Sequence, residues 1–130
     1  MNNKIFILFS MIFLHIIDDY KMQGILASMK QKKWWTEQKE YKPLYKYDYI
    51  IALIEHSFSW TFMIMLPISL SLHFNIGWWV LAYVINATIH AFVDNLKANK
   101  FKINLVIDQL IHIAQILITW LVFIWCYQYK

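Results

Sequence analysis

Cysteine, arginine and chain-breaking residues are what this chain of 130 residues has least of. A single cysteine, Cys126, permits no intrachain disulfide and no thiolate zinc site, so any metal must be held by histidine and carboxylate. Two glycines and two prolines leave few points at which a helix is interrupted. Arginine is absent beside 12 lysines, a compositional bias from which no function follows. Charge is scarce as well: 15% of residues are charged, against about 25% in an ordinary soluble domain. What fills the space is apolar, at 60% of residues with a mean hydropathy of +0.43. That is the composition of an integral membrane protein.

Four apolar segments are long enough, or nearly so, for a bilayer core that takes about 20 helical residues. The expected helices run from about 5 to 29, 49 to 72, 76 to 96 and 103 to 127 in one membrane domain. The first needs an argument. "IFILFSMIFLHII" supplies 13 residues before Asp18 and Asp19, about 20 Å against a core of about 30 Å. Apolar character returns at Ile25 and Leu26 with no small-residue cleavage site between, so the helix is extended to Met29 rather than read as a cleaved leader. Between the first two helices, the Lys-rich segment 30–48, carrying Trp34, Trp35, Tyr41, Tyr45 and Tyr47, is expected to lie along headgroups and to be partly helical until Pro43. Trp78 and Trp79 read as the opposite aromatic belt, with His73 beside them. Lysine clustering at 30–33 and in "KANKFK" is the usual cytoplasmic signal. The expectation is an all-α, integral membrane four-helix bundle with both termini outside. A net charge of +4 that sits in these loops does not point to nucleic acid, and no nucleic-acid-reading module is visible.

Polar residues recur inside every apolar segment at helical spacing. His15, Asp19 and Gln23 are four apart; Asn86, His90, Asp94 and Lys97 are spaced four, four and three; Asp108, His112 and Gln115 are spaced four and three. The second segment adds Glu55 and His56, with Ser59 one turn on. Ionisable groups in membrane helices are costly and normally face a bundle interior and mark function. Measured from the Lys-rich ends, His15, Glu55, His56, His90 and Asp108 fall roughly 7 to 14 Å into their helices, with Asp19 and Asp94 shallower and His112 deeper. One layer therefore receives side chains from all four helices, which is how metal sites are built in bundle cores. His15, Asp19, His56, His90, Asp94, Asp108 and His112 offer enough donors for one divalent ion or two. Nitrogen and oxygen donors without sulfur suit zinc, manganese or iron.

Four stretches, "LHIIDDYKMQ", "ALIEHSFSW", "HAFVDNLK" and "DQLIH", resemble in order the polar motifs of the DUF3307 family of small polytopic membrane proteins from bacteria and their phages. The resemblance covers nearly the whole chain and implies a multi-pass protein of the bacterial inner membrane. It maps onto His15, Asp19 and Gln23, then His56, then His90, Asp94 and Lys97, then Asp108, Gln109 and His112. Asp18 stands where a small apolar residue is the family's pattern, which leaves the choice between the two aspartates open. The family name itself assigns no function. A more distant similarity is to membrane-bound metal-dependent hydrolases of the YdjM type, by analogy only.

These residues lead to an expected metal-dependent hydrolase, in which the metal activates water against a phosphoester or lipid-linked substrate at the cytoplasmic membrane face. His56 is ligand or general base, Glu55 the spare carboxylate for proton transfer, and Lys97, Gln23 and Gln109 orient ligands or neutralise phosphate. Two alternatives stand beside it: a proton or metal-ion transporter or channel, and a non-enzymatic membrane effector with a structural metal. Polar residues thin out beyond Gln115 and Thr119, and such a one-sided site favours binding or catalysis over conduction. The bilayer is the expected surrounding partner, and a homodimer is compatible with the aromatic exterior.

Overall fold

The computed structural model describes residues 3–37 and 43–127, and these are helical almost throughout. Six α-helices are seen: α1 (Asn3–Ile17), α2 (Leu26–Met29), α3 (Lys32–Thr36), α4 (Asp48–Ser71), α5 (Ile76–Ala98) and α6 (Leu105–Cys126). Among the described residues, three helices are long and apolar enough to cross a membrane, namely α4 with its leading turn, α5 and α6. The expected bounds of these three hold to within two residues. They begin where capping chemistry allows. Asn75 accepts hydrogen bonds from the backbone N–H groups of Gly77 and Trp78, and Asn104 accepts from that of Ile107, so each satisfies donors that a helix start leaves free.

The first segment differs from its expected form. It is no single helix to Met29: α1 ends at Ile17, a π-helical turn occupies Asp18–Met22, and Gly24 at φ +51° turns the chain before α2. Gly24 is one of the two glycines, and the left-handed region it occupies costs any residue with a Cβ about 1 to 2 kcal/mol. The Lys-rich connection is partly helical before Pro43, as expected. It contains α3 over five residues and a 3-10 turn from Pro43 to Tyr45, while Tyr41 lies outside the described residues.

Packing follows from the stripes. On α1 the buried positions Ile7, Met11 and His15 are four apart, with Asp18 three further on, while Phe6, Phe9, Phe13 and Ile16 face outward. α4 buries the broadest face, from Ala52 to Ile68, and α1 and α5 each pack between α4 and α6. One end of the interior is apolar: Ile64, Met65, Ile68 and Leu72 of α4 and its end meet Ile7, Met11, Tyr83, Ile116 and Phe123. The other end is polar. With phenylalanines and isoleucines outside and histidines and aspartates inside, burial runs opposite to that of a soluble domain.

The polar end is closed by α2 and α3. Asn99, just beyond α5, donates to the Lys30 carbonyl at 2.9 Å and accepts from the Lys32 backbone N–H at 2.7 Å. This clamp fixes the backbone of Lys30 over the end of α5, and the Lys30 side chain enters the interior.

Candidate metal centre

His15, Asp18, His56, His90, Asp94, Asp108 and His112 are all at most 1% exposed, and the side chain of Asp19 is 4% exposed. The structure brings together all seven residues expected to bind metal, along with Gln23, Lys97 and Gln109.

At the centre, His56 Nε2 lies 3.1 Å from His90 Nε2, 3.2 Å from Asp19 Oδ1 and 3.6 Å from Asp94 Oδ2, and His90 Nε2 lies 3.9 Å from Asp94 Oδ2. A tetrahedral ion with bonds of about 2.0 to 2.1 Å has donor-to-donor edges of about 3.3 Å. Three of these four separations lie within a few tenths of an ångström of such an edge. Asp19, His56 and His90 form one group that could hold a metal ion; His90, Asp94 and His112 form another, and His15, Asp19 and His112 a third.

The π-helical turn decides what the two aspartates do. An α-helix places successive side chains about 100° apart and would turn one of them away from the interior; the wider turn lets both face inward. Asp19 contributes oxygens to the cluster. Asp18 lies behind it, with Oδ2 3.6 Å from His56 Nδ1 and Oδ1 accepting a 2.6 Å hydrogen bond from Ser59. At that distance the Asp18–His56 contact is electrostatic, and Asp18 Oδ2 has no hydrogen-bond partner. Ser59, which sequence marked only as one turn from His56, thus connects to it through Asp18.

His15 faces the interior as its spacing implies, with both ring nitrogens in contact with other side chains. Trp60 is completely buried, and its Nε1–H donates to His15 Nδ1 at 2.7 Å. An indole only donates, so Nδ1 carries the lone pair and Nε2 carries the proton, which faces Gln109 Oε1 at 3.1 Å. Both nitrogens are engaged, and His15 in this arrangement positions Gln109. The amide of Gln109 in turn donates to Asp19 Oδ2 at 2.8 Å and to Asp108 Oδ2 at 3.2 Å. Gln23 does the same from the other side, donating to Asp19 Oδ1 at 3.1 Å. The Trp60 ring also stacks on His90 with centroids 4.1 Å apart and planes at 18°. Replacing Trp60 with Phe keeps an aromatic neighbour but leaves His15 Nδ1 without its donor, and the expected result is a metal affinity weakened by about 10- to 100-fold. Calorimetric titration of the chelator-stripped protein measures it.

Two lysines enter the cluster. Lys97 donates to Asp108 Oδ2 at 2.5 Å and lies 3.9 Å from Asp94 Oδ1. Lys30 donates to Asp94 Oδ2 at 2.5 Å with 5% of its side chain exposed. Here the sequence reading is corrected: Lys30 belongs to the polar core and is not a surface topology charge like Lys32 and Lys33. The break at Gly24 and the Asn99 clamp carry it there, and no spacing pattern in the sequence marks it. Glu55 is corrected in the other direction. It sits on the exposed face of α4, about 100° round from His56, and takes no part in the cluster. His73 is exposed beyond the end of α4, at the apolar end of the interior.

Charge then sums simply. Lys30 pairs with Asp94 and Lys97 with Asp108, while Asp18 and Asp19 face His56, so two carboxyl groups are left without a lysine partner. Buried atoms also lack partners, among them both ring nitrogens of His112, His90 Nδ1 and Asp108 Oδ1. Buried polar groups are almost always satisfied, so this many orphans in one cluster is unusual.

A cleft of about 380 Å³ leads to this region, lined by Asp19, Gln23, Lys30, Lys97 and Gln109, with Tyr20, Phe101 and Leu105 on its apolar side. Phe101 holds a left-handed backbone at φ 52° on the loop between α5 and α6. In the opposite direction the polar interior ends early: Asn86, Gln115 and Thr119 bond to one another, and beyond them the core is Ile64, Ile68 and Phe123.

No family model, curated protein or solved structure matches the chain.

Proposed function

We propose that this chain is a membrane-embedded metal-dependent hydrolase that cleaves a phosphoester or lipid-linked substrate at the cytoplasmic face. α1 with its π turn forms a fourth, shorter crossing beside α4, α5 and α6, and both termini lie outside. The observation that carries the reading is the combination of an ion-sized nest of buried imidazoles and carboxylates with a cleft that reaches one of them, Asp19, from the Lys-rich end. The four motifs that resemble the DUF3307 family are the segments that supply these side chains, which supports a shared site.

A divalent cation supplies a water whose pKa falls toward 7. The chain's own residues do the rest. Asp19, His56, His90 and Asp94 would hold the ion, Gln23 and Asp18 lie against Asp19 and His56, and Lys97, 29% exposed at its side chain, faces the cleft where a phosphate oxygen would arrive. Hydrolysis forms a bond from the water oxygen to phosphorus and breaks the ester bond, and the water proton finishes on the leaving oxygen. Glu55 has no part in this scheme, since it faces outward. The apolar core beyond Thr119 supports catalysis over conduction, because a permeating ion would find no polar partner there.

The test is release of phosphate or alcohol from a chromogenic phosphoester and from a short-chain phospholipid, with the full chain in detergent micelles. Expected is turnover that a chelator abolishes and that zinc, manganese or iron restores. Stoichiometric metal with no turnover on either substrate class would overturn the hydrolase reading.

A further inference from the structure

The cleft beside the metal centre owes its shape to the bend in the first segment. At the level of Gln109 that segment still lies on α6, where His15 Nε2 meets Gln109 Oε1 at 3.1 Å. Beyond the π turn, Gly24 at φ +51° swings the chain away, and α2 packs on α4. The first turn of α6 thereby loses its neighbour, and the cleft is the gap left between the π turn and Leu105. Leu105 lies about 6 Å along the helix from Gln109, so the gap sits at the end of the crossing, where acyl chains give way to headgroups. Its two sides differ in chemistry. Inward are Asp19, Gln23, Lys97 and Gln109; outward are Tyr20, Leu105 and Phe101, all of them exposed. Phe101 is 79% exposed between Lys100 and Lys102, and its φ of 52° is a conformation in which a bulky side chain is rare and asparagine or glycine is usual. Such strained positions cluster at functional sites.

Resting on the hydrolase reading, we propose that this gap is a lateral entrance from the cytoplasmic leaflet, and that Tyr20, Leu105 and Phe101 select a phospholipid over a soluble ester with the same headgroup. The lipid's phosphate arrives on the polar side beside Lys97, while its acyl chains stay among the three apolar side chains and the bilayer. Each methylene kept out of water there contributes roughly four-fold in affinity. A soluble ester meets the same polar wall and gains nothing from the apolar side. Phe101 and Leu105 are thus specificity residues that touch the chains and not the phosphate, and the strained backbone at Phe101 keeps its ring at the mouth of the cleft.

The full chain, metal-loaded in detergent micelles, is given dihexanoyl phosphatidic acid and glycerol 3-phosphate, which carry the same phosphate on the same glycerol. Expected is a kcat/KM at least about 100-fold higher for the lipid, the difference lying mainly in KM. Phe101→Asn removes the ring and suits the left-handed backbone, and it is expected to cut that preference about 10-fold through KM. A second measurement needs no turnover. In a Cys126→Ser background, a nitroxide at Leu105→Cys in vesicles is expected to show a higher ratio of collisions with oxygen, which concentrates in lipid, to collisions with a water-soluble nickel chelate than a nitroxide at Lys102→Cys on the loop. Equal kcat/KM for the two esters, or a preference that Phe101→Asn leaves intact, overturns selection by these side chains and leaves the hydrolase reading standing. A ratio at Leu105 no higher than at Lys102 overturns the lateral entrance. No turnover of either ester by the metal-loaded protein removes the hydrolase reading, and the selection with it.

Discussion

His90→Leu strips the metal while costing the chelated protein little stability. His90 is wholly buried, stacks between Trp60 and His112, and brings Nε2 to 3.1 Å from His56 Nε2. Leucine keeps most of the volume and supplies no lone pair. Displacing a group that only orients a ligand typically costs 10- to 100-fold in affinity, so loss of a ligand nitrogen should cost more than about 100-fold. The apo protein is affected differently. His90 Nδ1 has no hydrogen-bond partner to lose, and His56 Nε2, which loses the His90 contact, keeps Asp19 at 3.2 Å and Gln23 at 3.4 Å. Elemental analysis reads the first effect and a thermal melt in detergent with chelator reads the second. A variant that keeps its metal shows that His90 is no ligand. One that loses metal together with its chelated-state melting point shows that the ring's role is packing.

Lys30→Met has the reverse signature: a less stable apo protein that binds metal more tightly. The Lys30 ammonium is the closest cation to Asp94, and removing it leaves a carboxylate that is 1% exposed with only Lys97, 3.9 Å away, to offset it. Stranding one member of a buried pair costs about 3 to 5 kcal/mol. A divalent ion beside Asp94 Oδ2 takes over that offset, so the melting point lost in chelator returns on adding metal. Metal affinity rises because no ammonium competes for the same oxygen. Melts with and without metal, compared with a Lys32→Met control on the surface, measure the effect. If Lys30 only marked topology, the two variants would behave alike.

Much of this arrangement was legible before any coordinates, and the limits follow from what spacing encodes. A period of three or four marks one face of a helix, so His90 with Asp94, and Asp108 with His112, were readable as inward pairs. Aligning them by depth needed only the rise per residue and the position of the Lys-rich ends. Spacing says nothing where the helix is irregular. The π turn at Asp18–Met22 made two adjacent aspartates face the same way, and the sequence left open which of them served. Lys30 was read with its neighbours Lys32 and Lys33 because a cluster of like charges looks the same whether or not one member turns inward; the Asn99 clamp that turns it is a contact across 69 residues. Glu55 was credited for being next to His56, although neighbours in a helix are the pair that do not share a face. Trp60 carries no distinguishing spacing in an aromatic-rich chain. Its indole proton on His15 is what sets the tautomer of that ring.

The π turn also bears on how such a chain tolerates changes in length. A π turn is an α-helix carrying one residue more than its register requires, so the stretch from Asp18 to Met22 behaves as a single-residue insertion absorbed in place. Loss of one residue there would restore an unbroken helix, return one aspartate to the outer surface and rotate everything after it by about 100° relative to α1. Gln23, Gly24 and the inward path of Lys30 all lie downstream of that step. A deletion too small to shorten any crossing by more than about 1.5 Å would thus dismantle the charge balance of the interior. Helix length and site chemistry are coupled here through a single surplus residue.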